Sequence, residues 1–169
     1  MTNIEAPDAP RLAARLADQA TGIPSLLAGC DPSDLERRSP TGGWSAREHL
    51  AHLARYHEVF LARLDRMLSE EAPRLDRYRA ESDPEFQPFL ALSVGEVRAR
   101  FDALRAALIA RVSRLTPSEL ARTGVHPAFG EMPVALWLEF FLAHEGHHMY
   151  VMLQRARDRG RGATAPGGA

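Results

Sequence analysis

The stretch that decides the fold is Pro133-Val-Ala-Leu-Trp-Leu-Glu-Phe-Phe-Leu-Ala-His144-Glu145-Gly146-His147-His148-Met-Tyr-Val-Met-Leu153. Advanced by about 100° per residue, it places Trp137, Phe140, Phe141, His144, His148, Val151 and Met152 on one face. His144 and His148 lie in the middle of that stripe, one turn apart, where a helix keeps its core residues. Two buried imidazoles must each find a partner, because an unsatisfied buried polar group costs roughly 1–3 kcal/mol. A divalent metal satisfies both at once, and His at i, i+4 is a two-ligand bite for zinc.

The rest of the chain reads as helix in the same way. Ser45-Ala-Arg-Glu48 and Ser93-Val-Gly-Glu96 fit the S-x-x-E capping box, and Thr116-Pro-Ser-Glu119 adds proline at the first helical position. Asp31-Pro-Ser-Asp34 starts a short helix, and Pro133 can open the last long one. Four long helices are predicted, over about 9–29, 45–70, 93–115 and 133–157, with Pro24 kinking or shortening the first. Helical turns near 32–38 and 117–122 fill two connections. No internal repeat and no strand-like alternation is visible. The expected fold is an all-α four-helix bundle, a single domain over 1–157, followed by a disordered tail over 158–169. Residues 71–92 form a long, proline-interrupted link. At up to ~3.3 Å per residue it can recross a whole helix, so a crossover that leaves helices two and three parallel is preferred to a surface loop on an up-down bundle.

Composition removes several classes of function. The chain has 169 residues with a net charge of −1, and its 45% hydrophobic and 25% charged content is that of a globular protein. A pI near 6.7 gives no pull towards nucleic acid or an anionic membrane. All 21 basic residues are Arg, which rules out a Schiff-base lysine or a phosphate-loop lysine. The single Cys30 can form no intramolecular disulfide, which suits a reducing cytoplasm; no secretion signal is expected, and no apolar run reaches bilayer length. The expected partner is a small-molecule substrate.

A catalytic zinc-type site takes three protein ligands and keeps a position open. Helix two offers His49, His52 and His57. Its apolar stripe (Leu50, Leu53, Phe60, Leu61, Leu64, Met67) encloses His57 and leaves His52 at its edge beside Tyr56, so periodicity alone favours His57. Gly43-Trp44-Ser45-Ala-Arg-Glu48-His-Leu-Ala-His52-Leu53, followed far downstream by His144-Glu-Gly-His-His148, resembles the DinB family of metal-binding four-helix bundles. Gly130-Glu-Met-Pro133-Val has the family's look as well, and the resemblance spans residues 8 to 157. It implies a Trp-Ser-x-x-Glu-x-x-x-His motif delivering His52 and an H-x-x-x-H pair at His144 and His148. It also implies one divalent ion, commonly zinc or nickel, and often a homodimer. Some members transfer low-molecular-weight thiols such as bacillithiol or use mycothiol, which makes thiol S-transfer the first expectation and a thiol the expected co-substrate. Where wheel and resemblance differ, the resemblance is followed.

Glu145 and Tyr56 are the candidate acids or bases. His144-Glu145-Gly-His-His148 also matches the H-E-x-x-H motif, in which the Glu acts on metal-activated water. An extended protease motif would need Gly at 151 and His at 154, where the chain has Val151 and Gln154. A metal-dependent hydrolase and a non-enzymatic metal-sensing or storage bundle stand as alternatives. His49 and His57 are expected behind the ligands or at the surface, His147 at the rim or behind the ligands, and His126 in a loop that faces solvent or rims a pocket. Trp44 is expected to fix how the chain enters helix two. A second stripe on helix four, Leu138, Leu142, Met149 and Leu153, must be covered by the bundle or by a second copy, and a homodimer is expected there.

Overall fold

Helix starts in this chain are set by side chains that take up the orphan N–H groups of the first turn. Ser45 accepts from Glu48 N at 3.1 Å while Glu48 accepts from Ser45 N at 2.8 Å. Reciprocal pairs of the same kind form at Ser93 with Glu96 and at Thr116 with Glu119. The computed structural model describes residues 8–157, so the expected tail over 158–169 lies outside the described residues.

The four long helices are α1 (Ala9–Leu27), α3 (Ala46–Ser69), α5 (Val94–Val112) and α7 (Val134–Arg157). Short helices α2 (Pro32–Glu36), α4 (Phe86–Leu90) and α6 (Pro117–Ala121) and a 3₁₀ turn at Ala80–Ser82 lie between them. Pro24 is accommodated inside α1, which ends at Leu27. No helix among the described residues is long and apolar enough to cross a membrane.

Directions follow from which residues meet. Along α3 and α5 the contacts climb together: Arg47 reaches the Leu92 carbonyl, His57 meets Phe101, and Asp65 pairs with Arg111. Those two helices are therefore parallel. Along α3 and α7 they run in opposite order, His49 with His148, Tyr56 with Phe141 and Arg63 with Trp137. Helix α1 runs parallel to α7, with Arg15 on Glu139, Gln19 on the Leu142 carbonyl and Ala28 near Arg157. The bundle is thus down-up-up-down, and the segment between α3 and α5 is the expected crossover. On its way back it lays Tyr78 and Phe86 against His52.

One expectation is corrected. Residues Thr123–His126 (β1) and Gly130–Pro133 (β2) form an antiparallel hairpin, with His126 opposite Gly130. Four-residue strands are too short to show alternation, and Gly130, at φ +74°, supplies the left-handed turn residue. The second stripe of α7 is covered inside the chain: Leu138 and Leu142 are buried, and Gly22 of α1 brings its backbone up to Met149. Leu153, the last residue of the stripe, stays half-exposed.

Candidate metal centre

Helix α3 carries His49, His52 and Tyr56 down one side, and antiparallel α7 answers with His148 and His144. Nε2 of His52 lies 3.3 Å from Nε2 of His144, which lies 3.1 Å from Nε2 of His148. One ligand atom from each of the three lies within 4.8 Å of the other two. A zinc ion held tetrahedrally at about 2.0–2.1 Å by nitrogen sets its ligands roughly 3.3 Å apart, which matches this spacing. A neutral imidazole has one N–H and one lone pair, so three Nε2 atoms facing one another cannot satisfy one another. The donor set therefore fits one divalent ion taking three Nε2 lone pairs.

Electrostatics agree with the geometry. Burial, before any neighbouring charge, pushes His52 down to about 3, His144 to about 4 and His148 to about 2. All three are therefore neutral, with free lone pairs, at neutral pH. His49 Nδ1 lies 2.8 Å from His148 Nδ1 and is itself pushed down to about 4, first by burial. A neutral His49 accepting the His148 Nδ1–H holds His148 in the tautomer whose Nε2 is free to ligate, as outer partners of metal-bound histidines do.

Aromatic rings wall the cluster. Trp44 packs on His52 at 5.1 Å and on His49 at 5.4 Å between ring centroids, and Tyr56 lies 4.3 Å from His144. Trp44 was expected only to guide the chain into helix two, yet it covers the cluster. A cavity of about 480 Å³ opens on the other side, lined by His52, His144, Tyr56 and Tyr78 and closed by the hairpin through His126 and Phe129.

His57, the residue that periodicity alone favoured, is not part of the cluster. It is fully buried, its Nδ1–H donates to the Leu53 carbonyl at 2.7 Å, and its Nε2 lies 3.5 Å from Glu145 Oε1. Glu145 is 1% exposed, and its other oxygen accepts from the guanidinium of Arg105, itself 3% exposed. Burial pushes the Glu145 carboxyl up to about 7 against the pull of Arg105. Its carboxylate points into the bundle and does not line the cavity, away from where an H-E-x-x-H base would act. The Tyr56 hydroxyl accepts from Arg63 at 3.1 Å, and burial raises its pKa. His147 is exposed, with its ring 5.3 Å from His148. His126 rims the cavity, the alternative to a solvent-facing place that its loop left open: it ends β1, accepts from Ala128 N and Phe129 N, and packs on Trp137. Arg63 and Tyr78 went unnoticed in the sequence, although a charged residue interrupting the apolar stripe of α3 was a visible sign of the first.

Parallel middle helices, a crossover laid over one end and three converging imidazoles define a bundle with a histidine-lined metal-type site. The chain belongs to the DinB superfamily, whose profile matches residues 6–152. It is similar to a Bacillus mycoides (strain KBAB4) protein named "Putative metal-dependent hydrolase", 26% identical over 133 residues, 79% of this chain and 76% of the relative. A Bacillus cereus (strain B4264) protein with the same description is 24% identical over the same share of both chains. Among solved structures it resembles YfiT of Bacillus subtilis, described as a "probable metal-dependent hydrolase with an unusual four-helix bundle topology". The TM-score is 0.79 at 20% identity, covering 95% of this chain and 92% of that one. TT2238, described as a four-helix bundle protein, gives a TM-score of 0.57 at 28% identity, covering 86% and 98%.

Replacing His52, His144 or His148 singly with Ala should remove stoichiometric metal, read by elemental analysis of purified protein, while His57→Ala should keep it and lose only stability. His49→Ala should keep the site but weaken it about 10- to 100-fold in a competitive chelator titration. Full occupancy without His52, together with loss on His57→Ala, would move the site one turn along α3. Breaking the buried pair gives a separate test of Glu145. Arg105→Met alone should cost about 3–5 kcal/mol in urea unfolding, because it strands a buried carboxylate. Adding Glu145→Leu should recover most of that loss and leave metal content unchanged; a double variant that cannot hold metal would make Glu145 part of the metal centre.

Proposed function

We propose that the protein is a divalent-metal-dependent enzyme whose ion, zinc or nickel, is held by His52, His144 and His148 beside a small-molecule cavity. The observation that carries this reading is the convergence of three neutral Nε2 atoms, two of whose rings also line that cavity. When bound, a divalent ion with an open position lowers the pKa of water to about 7 and deprotonates a thiol outright. The names of the curated relatives support metal dependence and, as a second reading, hydrolysis.

Thiol S-transfer is the preferred reaction because of which groups stand near the cluster. Water attack gains from a nearby carboxylate base, and the nearest candidate, Glu145, is held by Arg105 inside the bundle. A bound thiol is deprotonated outright by the ion, whereas bound water is only about half ionised near pH 7 and still gains from a base. Tyr56, on the cavity wall with its hydroxyl fixed by Arg63, is placed to donate to a leaving group or to a developing negative charge on the electrophile. Trp44 and Phe86 exclude water from the other side of His52. We place the enzyme in the cytoplasm, and the pairing of two copies that the DinB resemblance implies would use the part of the α7 stripe that α1 leaves open, at half-exposed Leu153.

The test offers the metal-loaded protein a low-molecular-weight thiol together with 1-chloro-2,4-dinitrobenzene, and separately p-nitrophenyl acetate without thiol. Chloride release that requires both thiol and metal and disappears in His148→Ala is the expected result. Metal-dependent ester cleavage without any thiol-dependent turnover would overturn the transferase in favour of the hydrolase.

A further inference from the structure

The cavity beside the histidine cluster contains a buried positive charge, Arg63, that forms no ion pair with a carboxylate among the described residues. Arg63 is only 9% exposed and sits on the inward face of α3, two turns from Tyr56. Its Nη1 donates to the Tyr56 hydroxyl at 3.1 Å and its Nη2 to the backbone carbonyl of Asp76. The guanidinium carbon lies 5.8 Å from the ring centroids of both Tyr56 and Trp137. Every one of these partners is neutral. Among the described residues no carboxylate forms an ion pair with Arg63, whereas Arg105, the other buried arginine, has Glu145. A buried cation without a counter-charge is costly, and such a group in a cleft marks a candidate functional site.

The surroundings indicate what would neutralise it. Arg77 of the crossover lines the same cavity, is exposed and has no ion pair among the described residues. Burial, and then the charges of Arg63 and Arg77, lower the basicity of His126 across the cavity, so both cations act on the same space. Guanidinium offers five N–H donors; Arg63 uses two on protein partners, which leaves part of its planar fork for an anion. The remaining walls are aromatic, Tyr56, Tyr78, Phe129 and Phe140, and the far end is His52 and His144. A volume of about 480 Å³ suits one small organic molecule.

We propose that Arg63, with Arg77 at the rim, forms an anion-recognition site for the carboxylate of a small organic acid with an apolar body. The planar fork matches a carboxylate bidentately, and the largely aromatic lining suits the apolar body of an organic acid better than inorganic phosphate. The anion site follows from the cavity itself; that the acid is the substrate, with its reacting end at the histidines, rests on the metal-dependent reading above.

The experiment measures binding of phenylacetate, neutral phenylacetamide and inorganic phosphate by calorimetry, using metal-loaded protein, the same protein stripped with EDTA, Arg63→Gln and Arg77→Gln. Phenylacetate should bind with and without metal at similar affinity, and roughly ten-fold or more tightly than the amide. Arg63→Gln should abolish that preference, and Arg77→Gln should reduce it a few-fold and weaken its dependence on salt. Equal binding of acid and amide, or no phenylacetate binding at millimolar concentration, overturns the proposal. Tighter binding of phosphate than of phenylacetate overturns the carboxylate assignment. Binding that vanishes with the metal makes the carboxylate a metal ligand, which sinks the anion site and leaves the metal reading standing. Binding that persists in a protein unable to hold metal does the reverse. Arg63 also braces the crossover at Asp76, so if Arg63→Gln does not fold, the acid-amide comparison in wild type and Arg77→Gln decide the question.

Discussion

The ion pair between Arg105 of α5 and Glu145 of α7 fixes how the last helix is rotated, and the site follows from that rotation. Both groups are almost fully buried, and Arg105 also donates to the Leu16 carbonyl of α1 at 3.3 Å, with His57 of α3 on the other side of Glu145. All four long helices thus meet at one polar layer. It sits between two apolar clusters, one around Phe60, Leu108 and Trp137 and the other around Leu50, Phe101 and Met152. With Glu145 pinned inward, the helical step of about 100° per residue places His144 and His148 about 100° and 60° to one side, towards α3. The same step turns Leu138, Leu142 and Met149 to the opposite side, towards α1. A buried pair of this kind contributes little net stability but is costly to break on one side only, so it specifies the arrangement of the helices more than it strengthens it.

Most of the architecture was legible because it is written locally. Capping residues at Ser45, Ser93 and Thr116 mark helix starts wherever they occur, and the length of the link after α3 was enough to indicate a crossover. The site was legible in its chemistry but not wholly in its geometry. Periodicity favoured His57 because a helical wheel finds the centre of the buried face, and that centre points between two neighbouring helices. Here the direction between α5 and α7 is occupied by His57 against Phe101 and Glu145, while His52 at the edge faces α7 and the crossover. Glu145 looked like a catalytic carboxylate for a related reason. Its partner lies forty residues away on another helix, and no single-helix pattern reports it. The hairpin was invisible because four-residue strands carry too little alternation to register.

The crossover gives the site its shape as well as its topology. Returning along α3, it lays Tyr78 on His52 and accepts the Arg63 guanidinium at the Asp76 carbonyl, while the hairpin brings His126 and Phe129 to the opposite wall. The histidines therefore lie at one end of an aromatic cavity and a fixed cation further along it. An apolar environment of this kind keeps imidazoles neutral and strengthens every charge interaction inside it. Metal affinity and recognition of an anion would thus draw on the same low-dielectric wall, built by segments that the sequence presents only as irregular connections.

The central claim is that His52, His144 and His148 act as one ligand set. The most direct test is a crystal of untagged protein, grown without added metal, with diffraction collected on both sides of the zinc and nickel absorption edges. The account predicts a single anomalous peak equidistant from the three Nε2 atoms, about 2.0–2.1 Å from each. No peak there at either edge in a protein shown to be fully folded, or a peak ligated by His57 or Glu145 in place of His52, would contradict it.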